Sequence, residues 1–209
     1  MHNRPALASA YVRLPTATRR AYPMAMPTPK LEWTLEMVHA LPDDGNRYEL
    51  LDGELLVSPS PSYLHQRILL ELYELLRPYV KALGGHETLL APAAVTFSLR
   101  REFQPDLLVL PLIDGRKAER FSDVGRLLLA VEVLSPSTAS NDRYKKRVVY
   151  QDEGVPEYWI VDAAARMVER WRPGDSEPDV LVTEMPWQPL EAHLPLVIDL
   201  EGVFREASG

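Results

Sequence analysis

The sequence predicts an α+β fold, a mixed β-sheet flanked by helices, from three observations. Short apolar runs bounded by Gly, Pro, Asp and Ser dominate the middle of the chain, at 87–99, 104–111, 127–134 and 157–162, which is how strands read. A basic helical segment up to Gly154 connects the last two of these runs. A second long helical pattern, starting after Ser62, precedes them all.

The chain has 209 residues, 46% of them apolar by type, enough for one domain with a real core. No segment approaches the unbroken apolar length of a membrane span. Without cysteine, disulfides and thiolate metal sites are excluded, and any metal must sit on oxygen or imidazole ligands. The net charge of −7 is unevenly spread. Residues 1–30 carry Arg4, Arg13, Arg19, Arg20 and Lys30 and no acid, so the remainder holds 23 − 5 = 18 bases against 30 acids, a balance of −12. That balance counts against non-specific nucleic-acid binding, which needs lysine and arginine to neutralise phosphates. The first 30 residues read as a disordered basic leader, or as a start assigned upstream of Met24 or Met26, with a DNA-contacting arm as the alternative. They lack an apolar signal region, which favours the cytoplasm.

In chain order, Thr34 caps a short helix, LEMVHAL, ended by Pro42. YELLDGELLV is a hairpin with Asp52-Gly53 as a type I′ turn, so Leu51 opposes Glu54 and Glu49 opposes Leu56. Glu49, Leu51, Glu54 and Leu56 then share one face, and a face with two glutamates reads by itself as a solvated one. Ser62 caps the long helix, Gly84-Gly85 stops it, and Pro78 is expected to kink it or end it early. His65 lies at helical spacing from Leu69 and Leu72 and faces partly inward, the usual position of a structural hydrogen-bonder. The strand over 87–99 breaks at Pro92, and Asp106 begins the next, QPDLLVLP. The stretch 113–126 is a polar connection with a helical turn. Beyond strand 127–134, Asp142 or Ser140 caps the basic helix, on which Lys146, Tyr150 and Glu153 share one face. EYWIVD and MVERWR form a hairpin, and strands follow near 180–183 and at PLVIDL.

Glu132 stands in the middle of an apolar strand. A buried carboxylate needs a cation, a proton or a strong hydrogen-bond donor. Asp106 lies on the preceding strand, and consecutive strands usually neighbour each other. Two carboxylates meeting at a sheet edge suit a hard divalent cation. A lysine on the following helix could orient a water or stabilise charge developing on a phosphate.

YELLDGEL, SPSYLHQRI, QPDLLVL, VEVLSPST, D-x-x-x-K-x-x-x-Y and GVPEYWIVD occur in that order. Together they resemble the Uma-two family of restriction-endonuclease-like proteins, over Leu31 to Arg205, and GVPEYWIVD with VEVLSPST is the most specific part. The resemblance implies a single restriction-endonuclease-like domain over 31–205, with a PD-(D/E)XK nuclease core and a Mg²⁺ or Mn²⁺ ion at its acidic edge. Asp106 matches the first metal-binding acid and Glu132 the second. Two residues on, where the motif usually has lysine, stands Leu134, and Lys146 on the helix matches the displaced lysine. Glu49 matches a hairpin glutamate that would complete or support the metal shell, and His65 and Tyr150 match supporting positions. Asp142 and Asp162 also match, but a helix cap and a strand-end hydrogen bond account for them. The expected function is a metal-dependent endonuclease hydrolysing DNA phosphodiester bonds. The apolar hairpin face of Tyr48, Leu50, Leu55 and Val57 and the exposed C-terminal strands suggest a homodimer. A catalytically degenerate binding or regulatory protein on the same fold is the alternative, favoured by the acidic body and the displaced lysine. A third reading makes Glu132–Lys146 a buried ion pair only, and such pairs are weak stability devices.

Overall fold

The chain from residue 31 to residue 209, which the computed structural model describes, opens with a short helix, α1 (Leu35–His39). The Thr34 hydroxyl caps it by accepting from the Met37 N–H at 3.3 Å. The basic leader, 1–30, lies outside the described residues. Strands β1 (Arg47–Leu51) and β2 (Glu54–Ser58) pair in the register that the turn dictates, Leu51 opposite Glu54 and Glu49 opposite Leu56. Asp52 and Gly53 both have positive φ, 47° and 87°, as a type I′ turn requires.

Helix α2 (Tyr63–Leu83) starts where the Ser62 hydroxyl accepts from the His65 N–H and stops at Gly84. Pro78 does not end it. Ile68, Leu72, Leu76, Val80 and Leu83 keep one buried stripe running past the proline. That packing holds the last turn against the loss of one backbone hydrogen bond.

The strands that follow are β3 (His86–Leu90), β4 (Val95–Ser98), β5 (Arg101–Phe103), β6 (Leu107–Pro111) and β7 (Leu129–Val133). A short 3₁₀ turn, Phe121–Asp123, sits in the polar connection before β7. From β7 the chain passes through a widened π-helical turn, Asn141–Lys146, and α3 (Arg147–Asp152) into β8 (Glu157–Asp162). It ends with β9 (Met167–Trp171), β10 (Asp179–Leu181), β11 (Glu184–Trp187), β12 (Leu196–Asp199) and α4 (Leu200–Ser208). The short β5 and β11 and the helix α4 go beyond the sequence expectation. Strands of three or four residues are too short to show a period, and α4 begins directly where PLVIDL reads as strand.

Three sheets result, ordered β10-β9-β8-β7-β6-β3, β2-β1-β5-β4 and β11-β12. β7 and β8 pair in parallel, and the helical connection between them is long enough to return the chain in the same direction. The remaining strand pairs are antiparallel.

Both faces of the six-stranded sheet are covered, and strand alternation decides what each face meets. Leu107, Val109, Leu129, Val131 and Val133 pack in one apolar cluster with Ile68, Leu72 and Leu76 of α2 and Val203 and Phe204 of α4. Leu108, Leu110, Ala130, Tyr158 and Ile160 point the other way, toward Leu51, Leu56 and Phe103 of the four-stranded sheet and Tyr150 of α3. Asp106 and Glu132 have the parity of this second set. Both therefore face the layer that carries Glu49. The solvated-face reading of the hairpin fails here, since Glu49 is fully buried along with Leu51 and Leu56.

A Cβ added at Gly53 would meet Arg100 Nη2 at 2.9 Å, in a left-handed backbone conformation. Gly53→Ala should therefore destabilise the protein by about 1–2 kcal/mol, the cost of left-handed backbone for an L-residue. Urea unfolding followed by circular dichroism measures it.

Candidate active site at a buried acidic cluster

The alternation of β1 that buries Glu49 also turns Arg47 inward, and α3 with the turn before it aims Lys146 at the same place. Lys146 is 1% exposed. Its Nζ donates to Glu132 Oε1 at 2.9 Å and lies 2.6 Å from Glu49 Oε2 and 3.5 Å from Asp142 Oδ1. The last two are ion-pair contacts without hydrogen-bond alignment, so Glu49 Oε2 and Asp142 Oδ1 are buried acceptors with no hydrogen-bond donor among the described residues. Glu49 Oε1 accepts from the Gln104 N–H at 2.7 Å, which fixes the carboxylate. The Tyr150 hydroxyl reaches Glu132 Oε1 at 3.5 Å, and the Lys146 ammonium sits 5.8 Å from the centre of the Phe103 ring.

Asp106 stands one residue before the Leu107–Val131 pair, which places it opposite Glu132 across β6 and β7. Three donors hold it. Arg47 Nη1 donates to Oδ1 at 2.6 Å, and His65 Nε2 and the Val133 N–H donate to Oδ2 at 2.9 and 2.8 Å. His65 Nδ1 is buried without a hydrogen-bond partner among the described residues.

Four buried carboxylates, Glu49, Asp106, Glu132 and Asp142, thus meet two permanent cations, Lys146, which is buried, and Arg47, which is about one-fifth exposed. Burial raises the pKa of Glu132 well above the carboxylate range; Lys146 opposes the shift, and Asp106 and Asp142 reinforce it. Burial likewise raises that of Asp142. Burial also pushes Asp106 up, but the His65 hydrogen bond and the Arg47 charge outweigh it and hold this carboxyl well below the usual range. For Lys146, burial lowers the pKa and Glu132, Glu49 and Asp142 more than reverse the effect. The surplus of negative charge is what a further cation or a proton would relieve.

A cleft of about 860 Å³ opens onto one half of this cluster. Arg47, His65, Asp106 and Val133 line it, with Ser58–Ser62 on one wall and Ser135–Thr138 on another. Lys146, Glu132 and Glu49 lie behind that wall and do not line it. The structure therefore brings Glu132, Lys146, Glu49 and Tyr150 into one contact set, and Asp106 and His65 into an adjoining set that faces the cleft. Asp142 is not a helix cap. The widened turn directs it inward to Lys146, while Asp162 accepts from the Ala165 N–H at the strand end as expected. Glu153 leaves the inward face because α3 ends at Asp152, and it pairs with Arg101 instead. Arg47 is the residue that the sequence reading missed. Its signal was present, since the parity that joins Glu49 to Leu51 reaches Arg47 one step earlier.

Among the described residues no group of three or more His, Asp and Glu side chains converges as a metal cage. Magnesium does not need one, because it keeps several waters and uses one or two carboxylates plus substrate phosphates. The opposed Asp106 and Glu132, with four formal carboxylate charges against the two cations, fit such an ion.

A family model described as "Putative restriction endonuclease", Uma2, matches residues 35–201. A solved structure described as "a putative nuclease belonging to DUF820", from Anabaena variabilis, aligns with a TM-score of 0.70 at 21% identity. The alignment covers 84% of this chain and 99% of that one. The shared fold is the restriction-endonuclease-like mixed sheet with flanking helices expected from the sequence. No curated protein matches the chain.

Lys146→Met would leave Glu49, Glu132 and Asp142 buried without their common cation. A loss of about 3–5 kcal/mol is expected, and Glu132→Gln added to it should recover part of the loss by removing one of the stranded charges. Urea unfolding of the two variants beside the wild type tests both the size and the sign.

Proposed function

The chain belongs to the Uma2 family, and on that premise we propose that it is a metal-dependent nuclease hydrolysing DNA phosphodiester bonds at the floor of the cleft. The observation that carries the reading is the placement of two carboxylates, Asp106 at the cleft and Glu132 directly opposite it, in a buried site with surplus negative charge. Asp106 and Glu132 would hold a Mg²⁺ or Mn²⁺ ion, with Glu49 supporting the shell. When bound, such an ion supplies Lewis-acid polarisation of a phosphoryl oxygen and lowers the pKa of a water.

The chain's own residues do the rest. His65 and the Val133 N–H orient Asp106 through Oδ2. Lys146 holds Glu132 in place from behind the cleft wall, and its charge offsets the negative charge of the carboxylates there. Tyr150, fully buried, reaches Glu132 from the inner side. Overall, a water oxygen bonds to phosphorus, the bond to the leaving sugar oxygen breaks, and that oxygen takes up a proton.

A degenerate binding or regulatory protein on the same fold is the second reading. The burial of Lys146 behind the cleft wall favours it, because a lysine acting on substrate has to reach the cleft. We also propose a cytoplasmic setting and a homodimer, the latter on the exposed Val180, Val182 and Val197 of the C-terminal strands. Sedimentation should give twice the monomer mass; a monomer at all concentrations would remove the dimer from the proposal.

The nuclease reading predicts Mg²⁺- or Mn²⁺-dependent cleavage of DNA by the wild type. Asp106→Asn and Glu132→Gln should each lower the rate by about 10²–10³-fold, the range for losing one preorganised electrostatic group, with the circular dichroism of a folded protein retained. Equal cleavage by the folded variants would overturn the assignment, and no cleavage by the wild type would leave the binding reading in its place.

A further inference from the structure

Asp106 has three donors, and they differ in kind. The Val133 N–H is backbone and cannot leave without breaking β7. His65 is packed on α2 and nearly buried. Arg47 is a long side chain with a permanent charge, about one-fifth exposed, and it lines the cleft. It also occupies a different oxygen. Oδ2 takes both other donors, and among the described residues Oδ1 takes Arg47 alone.

The contact is specific. Nη1 donates at the same time to Asp106 Oδ1 at 2.6 Å and to the Gln104 carbonyl at 2.9 Å, so both of its protons are used. Arg47 therefore stands on the Asp106 oxygen that a divalent ion entering from the cleft would compete for. Two cations on one carboxylate oxygen repel each other, and more strongly at this partly buried position than they would in bulk water. A charge-assisted hydrogen bond must also be broken before that oxygen can become a ligand. The side chain has somewhere to go, because the cleft runs past it.

We propose that Arg47 is a resident counter-ion that competes with the metal for Asp106, so that the ion binds only as the guanidinium leaves Oδ1 for the cleft. Arg47 is thus a positioning residue for the metal site, and this inference rests on the metal-dependent reading above. With the site empty of metal, Arg47 keeps Asp106 ionised and in place. With metal present, it becomes a free cation on the cleft wall, beside the space a phosphate would enter.

Calorimetric titration with Mn²⁺ alone tests this on the full chain, for the wild type, Arg47→Gln, Arg47→Met and Asp106→Asn. Arg47→Gln can still donate to the Gln104 carbonyl, which keeps a folded variant available if Arg47→Met fails to fold. Removing the competitor should tighten Mn²⁺ binding by about tenfold, the size of one hydrogen bond to a charged group. A merely structural role for Arg47 would leave the affinity unchanged or weaken it. An independent readout needs no variant: the Arg47 side-chain N–H resonances of the wild type should shift on titration with Mg²⁺ as the contact opens.

Unchanged or weaker Mn²⁺ affinity in folded Arg47→Gln, or resonances unmoved at saturating Mg²⁺, would overturn the competitor while binding abolished by Asp106→Asn still upheld the metal site. If the folded wild type and variants all take up no Mn²⁺, the metal-dependent reading fails and the inference with it.

Discussion

Lys146 is an ammonium group with no water, and three separate parts of the chain have to deliver carboxylates to it. Glu49 comes from the first hairpin, Glu132 from the middle of the central sheet and Asp142 from the widened turn. Desolvating a charge costs several kcal/mol, so the lysine is tolerable only when all three arrive. That requirement ties the four-stranded sheet to the face of the six-stranded one. The aromatic surround of Phe97, Phe103, Tyr150 and Tyr158, in contact ring to ring, keeps the local dielectric low. In such surroundings each charge is strongly felt by its neighbours.

The site divides into an inner and an outer half. The inner half is Lys146 with its carboxylates, closed and set by packing. The outer half is Asp106 with Arg47 and His65, open to the cleft on one side. Glu132 and Asp106 join the halves because the β6–β7 register sets them opposite each other. Leu134 helps to explain why the cation comes from a helix. It is half-buried against the second apolar cluster, so the strand position two after Glu132 is used for packing. The parallel crossover from β7 to β8 passes its helical segment over the same face and supplies the lysine from there.

Much of the local structure was legible in the residues. Thr34 and Ser62 mark helix starts, Asp52-Gly53 sets a hairpin register, and Gly84 ends α2. Each is a short-range stereochemical fact that holds whatever the rest of the chain does. Pro78 was misleading for the complementary reason. Its local preference is outweighed by a buried stripe that exists only once α2 lies on the sheet. Glu153 failed similarly, because helical spacing places a residue on a face only as far as the helix lasts.

The candidate site shows the same division. By itself the sequence determined that Glu132 sits in an apolar strand and needs a cation, a proton or a strong hydrogen-bond donor, that Asp106 begins the neighbouring strand, and that Lys146 and Tyr150 share a helix face. These follow from periods of two and of about three and a half residues along a chain. Only the tertiary structure decided that the Glu49 face is buried and that Asp142 turns inward. Only it placed Arg47 on Asp106 and left Lys146 behind the cleft wall. Those outcomes depend on which sheet face meets which, and that is settled by burial and charge pairing between segments far apart in sequence, which no local period records.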